Sequence, residues 1–249
     1  MRWAWACMSS RGRVLAVRWL GRRGYEQVYL LQKELVEARI RQEIPDTLIL
    51  VEHFPVFTLG RGARDEQFRV PVRQIEALGL KIIPVDRGGQ VTYHGPGQLV
   101  GYPIFDLTRH RQDLHWTLWA LEEILIRFLK DFGIAGERRK DYPGVWVGEK
   151  KIAAIGIGVR RWVTYHGFAL NINSDLNYFR LIYPCGIRDQ GVTSLAEILG
   201  ERVEITGDLL EKVVFYTGEV FQLEGEILSD EPRISGVAQE KIHKQSSCR

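Results

Sequence analysis

Runs in which apolar and polar residues alternate recur through the first two thirds of the chain. Alternation with a period of two, together with many β-branched and aromatic residues, predicts β-strands. The short connection from Gly148 to Lys151 joins two such runs and predicts a hairpin with Lys150 and Lys151 near its turn. The predicted strands are Val14–Leu20, Thr47–Glu52, Val56–Leu59, Leu80–Val85, Leu99–Phe105, Val145–Val147, Ile152–Val159 and Thr164–Ile172.

Apolar residues spaced three and four positions apart predict helices. The predicted helices are Tyr25–Gln42, Asp113–Phe132, Ser194–Leu199 and Gly207–Leu223. The apolar face of the first consists of Tyr25, Val28, Leu31, Leu35 and Ala38. Thr193 or Ser194 and then Thr206 stand where the caps of the last two helices are expected, which supports these starting points.

This order of elements predicts one α/β (α+β) domain with a mixed, largely antiparallel β-sheet flanked by helices. Neither an internal repeat nor an interdomain linker interrupts the pattern. We expect residues 14–224 to form the domain and residues 1–13 to form an N-terminal extension. From Ser229 onward the chain is polar and aperiodic, and we expect residues 225–249 to be a disordered tail.

The composition is that of an ordinary globular protein, with 45% apolar residues among 249 and a net charge of +3. A charge this small argues against nucleic acid as the main partner. No apolar run reaches the roughly 18 residues of a membrane helix. Cys7, Cys185 and Cys248 are far apart and odd in number, so they predict neither a disulfide framework nor a zinc site.

This cysteine usage favours a reducing compartment, and we expect the protein to be cytoplasmic. The first 25 residues contain six arginines and no acidic residue, which leaves a transit peptide as the alternative. The segment lacks an apolar signal core, however, and a predicted strand already begins at Val14. Arg11 and Arg13 are therefore assigned to a solvated extension.

The densest group of glycine, proline and polar residues lies between Arg87 and Pro103. Glycine allows positive φ angles and lets a ligand lie against the backbone. A bend that combines bare amides with Arg, Gln, Thr, Tyr and His side chains is typical of a binding site. Local chemistry alone leaves a surface hairpin, with Gly95-Pro96-Gly97 at its tip, equally open.

Cys185 and Lys151 are the residues best suited to covalent chemistry. A lone cysteine is most often a buried structural thiol, but Pro184 and Gly186 place this one on a bend, which favours exposure. A thiolate can form a thioester and release it again, if a positive charge or a base lies nearby. Lys151 begins an apolar strand, where burial would help it act as base and acid in turn. Alternatively both lysines are exposed turn residues. This alternative is favoured for Lys150, whereas for Lys151 the two interpretations are equally open.

The stretch from Arg87 to Tyr102 resembles the signature of the lipoyl(octanoyl) transferases. The matching residues are Arg87, Gly88, Gly89, Thr92, Tyr93, His94, Gln98 and Tyr102. The resemblance extends over roughly Val14 to Gln222 and implies the catalytic fold of the biotin and lipoate protein ligases. It also implies transfer of an octanoyl or lipoyl group from acyl carrier protein to a lysine of lipoyl domains, in 2-oxoacid dehydrogenase E2 subunits and the glycine cleavage H protein. No ATP, metal or other cofactor is implied.

The same resemblance assigns roles to individual residues. Lys151 and Cys185 match the catalytic dyad of the family, in which the cysteine forms a thioester and the lysine is acid and base. The implied acyl-chain contacts are Arg87, Gly88, Gly89, Gln90, Val91, Thr92, Tyr93, His94, Ala154, Ile155, Gly156, Gly167, Phe168 and Ala169. Phe168 is bulkier than the aliphatic residue expected there, so the sequence alone does not fix the chain length.

Other residues have less defined roles. We expect His94 to orient groups of the site rather than to transfer protons, although it could instead polarise the thioester carbonyl. His166 and Asn171 follow on a later strand and could point to either face. The remaining histidines, His53, His110 and His115, are expected to be structural or solvent-facing. Backbone amides at Gly88-Gly89 or at Gly186 could hold a developing oxyanion.

Two other functions stay open at this point. A lipoate or biotin protein ligase would need ATP, and Cys185 would have no part in its chemistry. A non-catalytic fatty-acyl binding module would need the cavity but not the nucleophile. The basic runs Arg138–Lys140 and Arg160-Arg161 are candidate docking sites for an acidic carrier protein, although such runs are usually solvated surface.

Overall fold

The structure, a computed structural model, describes residues 13–63, 67–183 and 191–229, and within them the chain forms ten strands and five α-helices. The strands are β1 (Val14–Arg23), β2 (Asp46–His53), β3 (Val56–Leu59), β4 (Lys81–Pro84), β5 (Val91–His94), β6 (Gln98–Ile104), β7 (Gly144–Val147), β8 (Lys150–Arg160), β9 (Val163–Asn171) and β10 (Glu224–Ser229). The helices are α1 (Tyr25–Ile40), α2 (Val72–Ala77), α3 (Leu114–Lys130), α4 (Leu195–Leu199) and α5 (Gly207–Phe221). None of these helices combines the length and the apolar character needed to cross a membrane.

Two sheets are present in the described part of the chain. The larger has the strand order β10-β1-β2-β6-β9-β8-β7, and the smaller has the order β4-β3-β5. In the larger sheet β1 lies parallel to both β10 and β2, whereas the other described pairings are antiparallel. The predicted mixed, largely antiparallel sheet is therefore confirmed. The separate small sheet and α2 were not predicted.

The larger sheet has an apolar core on each face. Helices α3 and α5 cover one face, where Phe128 and Val213 are fully buried. Helix α1 covers the other face, where Val28 packs with Val100. A third core around Phe57 lies under the smaller sheet. The central strands β6 and β9 are therefore buried on both sides along their whole length.

The buried face of α1 is wider than the predicted one. The predicted Leu31 and Leu35 pack, partly buried, against the core, and Gln32, Val36 and Arg39 beside them are fully buried. Two polar side chains can lie on this face because each has a buried partner. The Gln32 side chain accepts a hydrogen bond from the backbone amide of His166 at 2.8 Å, and Arg39 donates to Asp46 at 2.8 Å. Apolar spacing alone could not reveal these pairs.

The first residues of the predicted disordered tail are ordered. Residues Glu224–Ser229 form β10, which pairs in parallel with β1 from Val14↔Glu224 to Trp19↔Ser229. The edge strand of a sheet has unpaired backbone N–H and C=O groups. The six residues of β10 pair with these groups through their own backbone, so the polarity of their side chains does not matter. Residues 230–249 and 1–12 lie outside the described part of the chain.

The Gly95-Pro96-Gly97 turn is not the tip of a surface hairpin. Strand β5 before it pairs with β3 of the smaller sheet, and β6 after it pairs with β2 and β9 of the larger one. The turn carries the chain from one sheet to the other. Gly97 has φ +79°, and a Cβ there would lie 2.6 Å from the carbonyl oxygen of Asn173. Glycine is therefore required at this close crossing.

A buried ionic cluster fixes the end of α1 to the larger sheet. Asp46 accepts hydrogen bonds from Arg39, from His110 at 2.6 Å and from the amide of Asp106 at 2.9 Å. Since Arg39 is only 1% exposed, losing the Asp46 carboxylate leaves the buried guanidinium with only its more distant carboxylate, Asp106 at 3.6 Å. We expect Asp46→Ala to lower the free energy of unfolding by about 3–5 kcal/mol, measured by urea denaturation. Arg41→Ala, at an exposed ion pair with Glu43, is the control and should change little. Equal effects of the two substitutions would contradict this role.

Candidate functional site

A cavity lies between the two sheets, on the α1 side of the larger one. Strands β6, β8 and β9 form one wall, β5 and the loop Arg87–Gln90 form the other, and Tyr25 of α1 closes it. The space that it encloses is about 60 Å³, and the cleft around it, counted out to open solvent, is about 730 Å³. We call it the inter-sheet cavity.

Twelve of the fourteen residues expected to contact an acyl chain line this cavity. The exceptions are Gly88 and Tyr93. The Tyr93 ring points to the other side of β5, where it stacks on Tyr178 with ring centroids 4.6 Å apart and packs against Phe57. Successive side chains of a strand point to opposite sides, so Thr92 and His94 face the cavity while Tyr93 belongs to the core of the smaller sheet.

The glycine-rich loop is held in place through its backbone. Amides of Gly60, Arg61 and Gly62 donate to the carbonyls of Gln90, Arg87 and Gly89, each at 3.0 Å. The backbone of residues 60–62 thus fixes the glycine-rich loop, while the Arg61 side chain is exposed.

The Arg87 side chain turns inward rather than towards solvent. Its guanidinium donates to the Thr58 carbonyl at 3.0 Å and to the Thr58 hydroxyl at 2.9 Å. The amide of Gly88 donates to the Ile157 carbonyl at 2.9 Å. Because the Gly88 amide already has a hydrogen-bond acceptor, the Gly89 amide is the better candidate of the two to donate to an oxyanion. Gly186, the other candidate, lies outside the described residues.

A β-bulge turns Lys151 towards the cavity. Trp146 of β7 pairs with Lys151, whereas Val145 pairs with Ala153, so Ile152 is an extra residue in β8. Regular alternation would place Lys151 with Ala153 on the helix-covered face. The bulge shifts the phase by one residue, so Ile152 and Ala153 both stay in the core while Lys151 lines the cavity.

Lys151 is buried, with 5% of its surface exposed. Its Nζ donates to the Pro143 carbonyl at 3.1 Å and lies 4.8 Å from the centre of the Trp146 ring. Lys150 instead points outward and forms an exposed ion pair with Glu197 at 2.8 Å. Of the two adjacent lysines, only Lys151 can therefore take part in chemistry inside the cavity.

Cys185 lies outside the described residues, so its distance from Lys151 stays a prediction. The residues that follow this segment are hydrogen-bonded to the backbone of Lys151. The amide of Lys151 donates to the Gly191 carbonyl, and the amide of Thr193 donates to the Lys151 carbonyl, both at 3.0 Å. Val192, between them, lines the cavity.

The Phe168 ring packs mainly in the helix-covered core, although the residue also lines the cavity. The ring lies over Gly101 of β6, its direct partner across the strands, where a Cβ would come within 2.1 Å of a ring carbon. Of its neighbours that line the cavity, Gly167 has no side chain and Ala169 has a small one.

A cluster of buried aromatic and histidine rings forms one end of the cavity. The Tyr102 hydroxyl donates to Nε2 of His53 at 2.8 Å, because Nδ1 of His53 must donate to the Arg23 carbonyl at 3.1 Å. Burial lowers the pKa of His53 to about 4, and burial likewise lowers the pKa of His94. These rings are therefore neutral at physiological pH. His53 is structural, as expected, but it belongs to this wall.

Asp86 ties this end of the cavity together. Its carboxylate accepts hydrogen bonds from Tyr29 at 2.6 Å, Tyr165 at 2.9 Å and Nε2 of His166 at 3.0 Å. Partial burial acts to raise the pKa of Asp86, but these three hydrogen bonds hold it well below its usual value. His166 adopts φ +55°, a strained conformation for a non-glycine residue. Asp86 and the Gln32 contact stabilise it there.

Several cavity residues were not found from the sequence. Tyr25, Phe179 and Val192 line it, although Tyr25 was assigned only to a helix face. Asn171, left undecided, lines it too, and its spacing of two from Ala169 on one strand could have shown this. His110 is structural, bonded to Asp46, and His115 is exposed.

The basic run before β7 is more engaged than its sequence suggests. Arg138 forms ion pairs with Glu122 and Glu123, and Arg139 forms one with Glu149 at 3.3 Å. Arg160 pairs with Glu37, at the end of β8 farthest from Lys151. These ion pairs neutralise part of the charge, so the positive surface available to a partner is smaller than the number of basic residues in the sequence suggests.

Known proteins share this sequence and fold. The lipoyl protein ligase A/B catalytic domain matches residues 25–214. An octanoyltransferase of Caldicellulosiruptor saccharolyticus is 47% identical over 209 residues, 83% of this chain and 88% of that protein. One of Caldicellulosiruptor bescii is 45% identical over 217 residues, 86% and 95% of the two chains. A chain from the structural analysis of the bipartite lipoate protein ligase and E2 lipoyl domain of Thermoplasma acidophilum has a TM-score of 0.69, with 16% identity and 88% of each chain covered.

The last similarity concerns the fold alone, which is the fold expected of the ligase and transferase class. The sequence matches go further. This chain belongs to the lipoyl protein ligase A/B catalytic-domain family and, within it, to the octanoyltransferases. It is accordingly an acyltransferase.

The buried histidines predict how stability depends on pH. The folded-state pKa of His53, about 4, lies below the ordinary 6.5. The neutral ring therefore stabilises the fold above about pH 6.5, and this contribution, roughly 3 kcal/mol, is lost as the pH falls towards 4. We expect His53→Gln to show a smaller fall in the free energy of unfolding between these pH values, measured by urea denaturation. His115→Gln, at an exposed side chain, should keep the wild-type slope. An unchanged slope in the His53 variant would refute this assignment.

Proposed function

We propose that this enzyme transfers an octanoyl group from acyl carrier protein to a lysine of lipoyl domains, through a thioester on Cys185 with Lys151 as acid and base. The observation that supports it best is the position of Lys151. It is the buried amine of the inter-sheet cavity, whose neighbouring wall consists of small residues such as Ala154, Gly156 and Ala169. Such a wall accepts an unbranched chain, and the amine stands beside it.

The first half-reaction exchanges one thioester for another. Lys151 takes the proton of the Cys185 thiol, and the thiolate attacks the octanoyl carbonyl. The carbon–sulfur bond to phosphopantetheine breaks, and the departing thiolate recovers the proton from Lys151. Because both sides are thioesters, the exchange is close to balance, so the enzyme must supply position rather than energy.

The second half-reaction makes an amide. A neutral lysine amine of the lipoyl domain attacks the Cys185 thioester, the carbon–sulfur bond breaks, and the proton of the amine passes through Lys151 to the Cys185 thiolate. Amide formation from a thioester is downhill, so we propose that neither ATP nor a metal is needed. The lipoyl domains of 2-oxoacid dehydrogenase E2 subunits and the glycine cleavage H protein are the proposed acceptors.

An ATP-dependent ligase is the rival enzymatic function. Relatives at 45–47% identity over most of the chain are octanoyltransferases, whereas the lipoate protein ligase comparison reaches 16%. The transferase is therefore favoured, and modification of a lipoyl domain by octanoyl carrier protein without ATP would separate the two.

Lys151 and Lys150 form a matched pair for testing the acid–base role. We expect Lys151→Met to lower the turnover rate of octanoyl transfer by about 10²–10⁴-fold. Lys150→Met removes a neighbouring lysine whose side chain lies in an exposed ion pair, and it should retain nearly the wild-type rate. Steady-state transfer to an isolated lipoyl domain is the measurement. Similar rates for the two variants would exclude Lys151 from catalysis.

Intact-mass spectrometry tests the covalent intermediate. After incubation with octanoyl carrier protein and no acceptor, we expect one octanoyl adduct on the enzyme, mapped to Cys185 and absent from Cys185→Ser. Cys7 and Cys248 are internal controls on the same chain. If the Cys185→Ser variant binds octanoate and still transfers it, the thioester mechanism is wrong. If wild type binds the chain but never transfers it, a binding module is the better description.

A further inference from the structure

The side chain of Asn171 has its orientation fixed by the backbone. Its Nδ2 lies 3.0 Å from the carbonyl oxygen of Thr193, which can only accept. Its Oδ1 must therefore be the atom that accepts hydrogen bonds, from Nε2 of Gln98 at 2.9 Å and from the hydroxyl of Ser174 at 3.1 Å. The Asn171 amide is held in one orientation.

Gln98, held by Asn171, in turn determines which nitrogen of His94 carries the proton. Besides Asn171 Oδ1, the Gln98 Nε2 donates to the carbonyl of Tyr93 at 3.2 Å. Both partners accept, so the amide group of Gln98 cannot be turned over. Its Oε1 then lies 2.8 Å from Nδ1 of His94. Because a carbonyl oxygen only accepts, the proton of the His94 ring must be on Nδ1.

The second nitrogen of His94 is left as an acceptor. The ring is neutral, because burial lowers its pKa and the positive charge of Arg87 acts in the same direction, against the hydrogen bond that Nδ1 donates to Gln98. Nε2 therefore carries a lone pair. Among the described residues it has no hydrogen-bond partner, and the ring lines the inter-sheet cavity.

A series of hydrogen bonds links this acceptor to the strand segment that carries Lys151. Gln98 and Asn171 are directly paired across β6 and β9. The hydrogen-bonded chain from His94 ends at Thr193, whose own amide donates to the carbonyl of Lys151 at 3.0 Å. His94 and Lys151 are thus joined through a short series of fixed contacts.

We propose that Nε2 of His94 accepts a hydrogen bond from the attacking amine of the substrate lysine, and that Gln98 and Asn171 are positioning residues that hold it in this tautomer. The inference rests on the proposed function. An N–H of the amine points at Nε2, which directs the nitrogen lone pair at the thioester carbonyl. As the carbon–nitrogen bond forms and the carbon–sulfur bond breaks, the amine proton goes to Lys151 and then to the Cys185 thiolate; His94 stays neutral. The same tautomer rules out a role in polarising the carbonyl, since Nε2 has no proton to donate.

Two acceptors distinguish this role from a structural one. A lysine amine has an N–H for Nε2, whereas the thiolate of pantetheine has none. We expect His94→Asn, which can keep the Nδ1-like donor to Gln98, to slow single-turnover transfer from the octanoyl-enzyme to a lipoyl-domain lysine by about 10–100-fold. Return of the octanoyl group to pantetheine should slow by less than about twofold. Equal slowing of both transfers would overturn the proposal.

Histidine ¹⁵N NMR of the intact protein tests the tautomer without any reaction. The resonances of His94 are those missing from the His94→Asn spectrum. We expect a neutral ring with its proton on Nδ1, and in Asn171→Leu a loss of this single tautomer. A proton on Nε2, or a charged ring at neutral pH, would overturn the proposal even if octanoyl transfer is confirmed. If no octanoyl-enzyme forms in wild type, the proposed function fails instead, and the NMR result stands by itself.

Discussion

The candidate site depends on how closely one loop approaches one strand. The Gly88 amide bonds to the Ile157 carbonyl, and Gly156 beside it has no side chain; a Cβ there would lie 2.8 Å from the carbonyl oxygen of Gly88. This contact brings the loop of the smaller sheet against the larger sheet. The inter-sheet cavity is the space left between them, so a side chain at position 156 would move its walls apart. Gly156 is thus required by the close approach of the loop, and Gly89 of the loop by its φ of +81°.

Within that frame, local irregularities place the chemical groups. The bulge at Ile152 turns Lys151 out of the apolar core and into the cavity. The positive φ of His166 lets its ring reach Asp86, and Asp86 in turn joins α1 to β9. Strained or irregular backbone often lies at functional sites, where surrounding contacts hold it. Here Lys151, beside the bulge, is held by its backbone hydrogen bonds to Gly191 and Thr193. His166 is held by its hydrogen bonds to Gln32 and Asp86.

Much of this could be predicted from the sequence, and the failures have physical causes. Strand and helix positions follow from apolar periodicity, and the glycine-rich stretch does line a cavity. The pattern could not show that β5 and β6 belong to different sheets, because a Gly-Pro-Gly turn serves a hairpin and a crossing equally well. It also missed Gln32 and Arg39 on the buried face of α1, because their burial depends on hydrogen-bond partners outside the helix. The sequence could not decide whether Lys151 is exposed or lies in the site, because a β-bulge, unlike a regular strand, has no periodic sequence pattern.

The central claim is that Lys151 and Cys185 meet where an acyl chain enters the inter-sheet cavity. A crystal structure of the enzyme after incubation with octanoyl carrier protein tests it most directly. The account predicts electron density continuous from the sulfur of Cys185 into the space between Ala154, Gly156 and Ala169, with the Lys151 amine within hydrogen-bond reach of that sulfur. Density for the chain elsewhere on the protein, or a thioester far from Lys151, would contradict it.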